Sequence, residues 1–248
     1  MQALELDLAA LVAGDLVPHQ APGRMADNDE ARPGLAAVVR TGAAGYARRV
    51  PAGPGAVLEE ADAYFMGRSR LHDAARALVR IFDEERIPYA IAGAIALGAH
   101  GRVRLTEGVD VLLRRSDLER FERSWLGRGY VEPTPGLKAV RDTARNVRID
   151  FLLTGEYPGD GAPKPIAFPD PTARSAEADG FRVLDLEALI ELKLASGMTA
   201  AHRGQDLVDV MELIRARSLP LDHAERLHEW VRNKYRELWQ LAQVRDDY

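Results

Sequence analysis

Apolar and polar positions along the chain fall into two regimes that meet near residue 66. From Ser69 onward the apolar residues recur with regular periods. Leu71, Ala75, Leu78, Ile81 and Phe82 follow helical spacing behind a Ser69 able to cap the helix, and Pro88 ends it. Tyr89-Ala90-Ile91 predicts a short buried strand, residues 94–100 a small Ala-rich helix, and Val109 to Leu113 a second strand. Ser116-Asp117-Leu118-Glu119 has the form of a capping box and predicts a helix through about Gly127. Further strands are expected near 129–132, 137–141 and 147–153. The loop 155–171 is too rich in proline and glycine for regular structure. Phe181 to Leu184 reads as a short strand, and Asp185 can cap a helix through Ser196. A helix from about Gln205 to Ser218 and a last one from about Leu221, carrying Leu227, Val231, Leu238 and Leu241, complete the pattern. Trp230, Tyr235 and Trp239 in that last helix are expected to pack rather than to stack on bases.

This order, a helix, then mixed strands and helices, then helices alone, predicts an α/β (α+β) fold. A mixed sheet flanked by helices is expected over residues 66–184, with a C-terminal helical region, 185–248, packed on it. Residues 1–65 read differently. Leu4, Leu8 and Leu11 can line one side of a short helix, but the stretch from His19 to Pro33 is polar, and the residues after Pro33 are mostly Ala, Gly, Val and Arg. Such a segment has little large apolar surface to offset its chain entropy. Two readings stand: a loosely packed or partly disordered extension before a compact domain starting at Met66, or a helical appendage.

Composition narrows the picture. The chain has 248 residues, 46% hydrophobic and 29% charged, with a net charge of −5. That charge supplies no global basic field for nucleic acid or anionic lipid. With no cysteine, disulfides, thiolate metal sites and cysteine nucleophiles are excluded. No apolar run approaches the roughly 20 residues needed to span a bilayer. The acidic N-terminus lacks the basic start of a signal peptide, so a cytoplasmic protein is expected.

Candidate chemistry concentrates between Ile91 and Leu112. Gly93 follows a predicted strand, where glycine lets the backbone turn tightly and approach a ligand. The helix behind it presents unpaired N–H groups suited to a phosphate. The next strand brings up Asp110, and alternation puts residues 108 and 110 on one face, Glu107 and Val109 on the other. A second strand, Val147-Arg148-Ile149-Asp150-Phe151-Leu152-Leu153, sets another acid in an apolar run, and a buried Asp is costly unless paired or bound to a cation. Asp110 and Asp150, on adjacent strands, can converge on one Mg²⁺, as phosphoryl and nucleotidyl transfer require. Several of the surrounding residues also have plain structural readings. His100 suits a hydrogen bond at a helix end, Arg104 a surface charge as much as a phosphate contact, Lys193 a solvated helix position, and Asp206 a helix N-terminal charge.

Taken in order, these residues resemble the nucleotidyltransferase superfamily, particularly its minimal and AbiEii-like bacterial branches. Members run strand, Gly-Gly or Gly-Ser turn, short helix often ending in His-Gly, Arg-x-Thr, Asp-x-Asp, and later a third Asp. Gly93, His100-Gly101, Arg104, Thr106, Asp110 and Asp150 match in order and spacing, and Ala94 sits where the second turn residue belongs. Leu189-Ile-Glu-Leu-Lys193-Leu and Arg203-Gly-Gln-Asp206-Leu-Val-Asp209 resemble the family's later helices, with Gln205 where lysine is common. The likeness covers about residues 69–216.

The resemblance implies a protein that binds a nucleoside triphosphate and transfers a nucleotidyl group to a protein hydroxyl, an RNA end or a small molecule such as an aminoglycoside. It implies catalytic roles for Asp110, Asp150 and Asp206, nucleotide contacts from Gly93, Ala94, Arg104 and Lys193, and one weakly held Mg²⁺ on Asp110 and Asp150. The main departure is Gly108, which stands at the first Asp position of the Asp-x-Asp pair. Glycine supplies no side-chain oxygen, and Glu107 faces away, which argues against two-metal chemistry. Three outcomes are open: weak transfer, nucleotide binding without turnover, or a toxin–antitoxin-type protein-interaction module on the same fold.

Overall fold

The computed structural model describes residues 54–244, so the readings for residues 1–53 lie outside it. Helix α1, Pro54–Phe65, falls within the stretch expected to be loosely packed. Its Tyr64 is buried in the same core as α2, Arg70–Glu84, so the compact body begins before Met66. All five apolar positions read from the α2 pattern are buried. Ser69 does stand at the N-cap, but its hydroxyl pairs with the His72 ring, 3.0 Å away, and not with a backbone N–H.

Among the described residues seven strands make one mixed sheet. They are β1 Ala90–Ile91, β2 Gly108–Leu113, β3 Tyr130–Val131, β4 Ala139–Asp142, β5 Val147–Leu153, β6 Ser175–Ala178 and β7 Phe181–Leu184. Their order across the sheet is β3-β4-β5-β2-β1-β7-β6. The long central pair, β2 and β5, runs parallel, and β2 meets β1 antiparallel. Strand β6 has no counterpart in the expected elements. Its sequence, Ser-Ala-Glu-Ala, is polar and its residues are half-buried or exposed, so its hairpin pairing with β7 leaves no apolar alternation to read.

The sheet is two-sided. Val109, Val111 and Leu113 of β2 and Val147, Ile149, Phe151 and Leu153 of β5 are all buried on one face. There α2 and α4, Arg115–Trp125, close the core, with Phe121 set edge-on to Phe82, Tyr130 and Phe151. The alternate residues of the same strands, Gly108, Asp110, Arg148 and Asp150, are half-buried or exposed. The capping box at Ser116 does not form: the cap lies two residues earlier, at Arg114, and makes no side-chain capping bond.

Helix α3, Gly93–Ala99, links β1 to the segment leading into β2. His100 at its end hydrogen-bonds the Leu184 carbonyl at 2.7 Å, the structural role read for it. The C-terminal region is helical, as expected. Asp185 caps α5, Leu186–Thr199, by accepting from the Ala188 N–H. Helix α6, Gly204–Arg217, packs along α5. The expected single last helix is broken: a 3-10 turn covers Leu221–Arg226, and α7, Glu229–Ala242, begins after His228 accepts from the Trp230 N–H. Tyr235 is fully buried with its hydroxyl on the Pro220 carbonyl, and the Trp239 indole donates to Leu219, so both are packing residues. Among the described residues no helix is long and apolar enough to cross a membrane.

Candidate active site

Strand pairing brings the two expected acids together. Asp110 and Asp150 are direct partners in the parallel β2–β5 ladder, so their side chains leave the same face of neighbouring strands. Strands so paired lie about 4.8 Å apart. Gly93 sits against them in the left-handed region, φ +57°, and the Ala92 N–H donates to the Asp110 carbonyl. A β-carbon at Gly93 would fall 1.9 Å from Asp110 Oδ2. Only glycine lets this turn lie flat on the carboxylate.

The Asp110 carboxylate makes no hydrogen bond or ion pair with any described residue. Burial, and then the neighbouring Asp150 charge, push its carboxyl above the ordinary range. Lys193, Arg203 and Arg104 pull the other way. Asp150 is in the opposite state. Arg148, two positions earlier on the same strand and therefore on the same face, donates from Nε to both carboxylate oxygens at 2.9 Å and from Nη2 to Oδ1 at 2.6 Å. This pairing holds the guanidinium firmly in its charged form.

Arg148 is also the ladder partner of Gly108. A β-carbon at residue 108 would lie 3.0 Å from the Arg148 carbonyl oxygen and 3.7 Å from Asp150 Oδ2. The position thus aims into the site, and an acid there would sit beside Asp150 and Arg148. Thr106 Oγ1 bonds back to the Gly108 carbonyl at 3.3 Å and fixes the entry into β2.

Lys193 and Asp206 meet in the seam between α5 and α6. Lys193 Nζ donates to Asp206 Oδ1 at 2.9 Å and to Asp209 Oδ2 at 2.7 Å. Ser196 and Arg203 donate to the other Asp206 oxygen at 2.7 and 3.0 Å. Arg104 Nε stands 3.2 Å from Asp209 Oδ1, an ion pair without hydrogen-bond geometry. Lys193 and Arg104 therefore act on the charge of Asp110 while being held by Asp206 and Asp209. Ala94 is buried, and its side chain lines a separate cavity of about 420 Å³ between α3, the α1–α2 turn and the β6–β7 hairpin. Neither Asp110 nor Asp150 lines that cavity.

Sequence reasoning assigns no role to Arg148, and it names Asp209 and Arg203 only as members of the later helix motif. Signals for two of them were present: Arg148 alternates with Asp150 and must share its face, and Asp209 lies three residues after Asp206 on one side of α6.

The donor set does not fit a preformed divalent-ion site. Among the described residues no cluster of three or more His, Asp or Glu is placed to hold a metal. Of the two acids that converge, one is clamped by an arginine. Magnesium held at Asp110 and Asp150 would have to displace Arg148.

No family model matches the chain, and neither does any curated protein sequence. Among solved structures it is similar to ANT(2'')-Ia in complex with adenylyl-2''-tobramycin, at TM-score 0.45 and 19% identity over 66% of this chain and 96% of that one. It is also similar to JHP933 from Helicobacter pylori, at TM-score 0.39 and 18% identity over 69% and 78%. A third is a candidate nucleotidyltransferase from Thermotoga maritima, at TM-score 0.36 and 16% identity over 56% and 93%.

Proposed function

We propose that this protein binds a nucleoside triphosphate on the open β2–β5 face and transfers its nucleotidyl group weakly. The observation that carries this reading is the placement of the Gly93 turn directly on Asp110, with Asp150 in register beside it. The ordered motif from Gly93 to Asp150 adds to it. A glycine turn that lies against a carboxylate pair on an open sheet face is a setting for the polyphosphate of a nucleotide.

Weak transfer follows from the same face. Nucleotidyl transfer relies on carboxylates that gather cations around the reacting phosphate. Here residue 108 has no carboxylate and Asp150 is already paired. Mg²⁺, if it enters, is expected to be one weakly held ion on Asp110. The acceptor would be a protein hydroxyl, an RNA end or a small molecule. The rival reading is a nucleotide-binding or protein-interaction module without turnover, and the Arg148–Asp150 clamp is the feature that favours it.

Calorimetry with ATP, with and without Mg²⁺, beside a labelled-nucleotide transfer assay on wild type, Gly108→Asp and Asp110→Ala, tests the proposal. Binding by the wild type with slow transfer, raised in Gly108→Asp and lost in Asp110→Ala, is expected. Binding without transfer in any of the three favours the rival. A protein that takes no nucleotide under any condition does not fit the proposal.

A further inference from the structure

The misfit between this site and a divalent ion has a positive counterpart in the charges that are present. The four acids Asp110, Asp150, Asp206 and Asp209 are equalled in number by four cations: Arg148 pairs with Asp150, Lys193 with Asp206 and Asp209, Arg203 with Asp206 and Arg104 with Asp209, and the last three also act on Asp110. A cluster already balanced by its own side chains has little to gain from a dication, which would leave it with surplus positive charge. Balance of this kind depends on the absence of an acid at residue 108, and residue 108 is the ladder partner of Arg148. The glycine leaves Arg148 without a second carboxylate neighbour, so the guanidinium folds onto Asp150 alone.

The clamp also leaves the arginine able to do more. Its Nε and Nη2 are engaged by Asp150, while Nη1 has no hydrogen-bond partner among the described residues. The side chain is 46% exposed, on the open face of the sheet. Next to it in the same cross-strand row is Arg141 of β4. That face therefore offers a planar, permanently charged donor beside Asp110, with a second guanidinium alongside. A guanidinium of this kind matches the geometry of phosphate oxygens.

We infer that Arg148 is the resident cation of this site, standing where a divalent ion would otherwise sit, so that the cleft takes a polyphosphate directly and without metal. The inference rests on the polyphosphate-binding reading above and assigns the group that does the binding. Arg148 neutralises Asp150 in the free protein and turns its unpaired N–H toward a phosphate oxygen when ligand arrives. No bond in the ligand is broken in this step.

The test uses the full chain in EDTA, with inorganic tripolyphosphate and ATP as separate probes in calorimetry, and Mn²⁺ alone followed by its magnetic resonance signal. Wild type is expected to bind both polyphosphates in EDTA and to leave the aqueous Mn²⁺ signal unchanged. Arg148→Gln should weaken metal-free binding about tenfold or more, the worth of one charge-assisted hydrogen bond. Asp150→Asn should tighten it, because the guanidinium is released and a repelling charge is removed. That sign separates the two accounts, since loss of a metal ligand would abolish binding instead. Arg148 is exposed enough for Arg148→Gln to fold, and if it does not, Asp150→Asn decides alone.

Polyphosphate binding that needs Mn²⁺ or Mg²⁺, or that is lost in Asp150→Asn, overturns the inference while leaving the nucleotide proposal standing. Tripolyphosphate binding in EDTA without ATP binding does the reverse: it supports the role of Arg148 and removes the nucleotide. If neither probe binds in EDTA, Arg148 is not the resident cation.

Discussion

Two clusters of paired charges act on Asp110, and they are built differently. In the α5–α6 seam, Lys193 and Asp206 are 6% exposed and Asp209 is fully buried, and nearly every polar atom has a close partner. On the β2–β5 face, Arg148 and Asp150 are 46% and 33% exposed, the Asp110 carboxylate has no hydrogen bond among the described residues, and Arg148 keeps an N–H to spare. Burying charges is costly, and the cost is recovered only when geometry and hydrogen bonding are nearly complete. The seam meets that condition and holds two helices in one register. The open face does not meet it, and an incompletely satisfied cluster in contact with solvent is the part of the molecule left to interact with a ligand.

The largest effect should come from the seam. Lys193→Met removes the one group that bridges Asp206 and Asp209, and leaves two buried carboxylates each short of a charged partner. A loss of about 3–5 kcal/mol in urea unfolding is expected, the usual consequence of breaking a buried ion pair from one side. If stability barely changes while nucleotide binding disappears, Lys193 belongs with the open face and the division drawn between the clusters is wrong.

Gly93→Ala should come next. A side chain at φ +57° carries about 1–2 kcal/mol of left-handed strain. Its β-carbon would also land 1.9 Å from Asp110 Oδ2, so the carboxylate must rotate away. Polyphosphate binding should fall with stability. Adding Asp110→Ala to Gly93→Ala relieves the collision but not the backbone strain, so the pair should be non-additive by about 0.5–3 kcal/mol. Strictly additive losses would mean that the turn and the carboxylate do not press on each other.

How far these clusters are readable from sequence differs in the same way. The sheet face is largely legible, because strand alternation is local: Gly108 and Asp110 must share a side, as must Arg148 and Asp150. What alternation cannot supply is the pairing of Gly108 with Arg148, since that register joins residues forty positions apart and is set by packing of the whole sheet. The role of Arg148 stays hidden for this reason. The seam is less legible. Lys193 and Asp206 are expected at a nucleotide, but the contact between α5 and α6 turns Lys193 toward Asp206 and Asp209. Element ends fail where local chemistry offers equivalent choices. Ser116 has the sequence of a cap, yet α4 begins at Arg115, and Ser69 prefers the His72 ring to a backbone N–H.

The smallest predicted effect is a dependence on pH, and the two clusters should contribute it with opposite signs. For Asp206, burial alone would raise the carboxyl, but Lys193, Ser196 and Arg203 outweigh it and hold the group below its ordinary value. The folded protein then gives up its proton more readily than the unfolded chain does. The resulting stability is present above the unfolded value of about 3.9 and is lost as the pH falls through the folded one. For Asp110 the direction is reversed, because burial and Asp150 raise its carboxyl. The folded protein retains this proton longer, so the contribution is full below about pH 3.9 and is lost as pH rises through the folded value. At pH 7 the raised carboxyl of Asp110 is therefore a net cost to folding. Urea unfolding of wild type and Asp110→Asn in EDTA reads this directly. The variant should be the more stable at pH 7, and its advantage should narrow as the pH is lowered toward about 4, the ordinary carboxylate value. Below that, both proteins should weaken together as the seam is protonated. An advantage that grows on acidification, or a variant less stable than wild type at neutral pH, would mean that Asp110 is as well satisfied as the carboxylates of the seam.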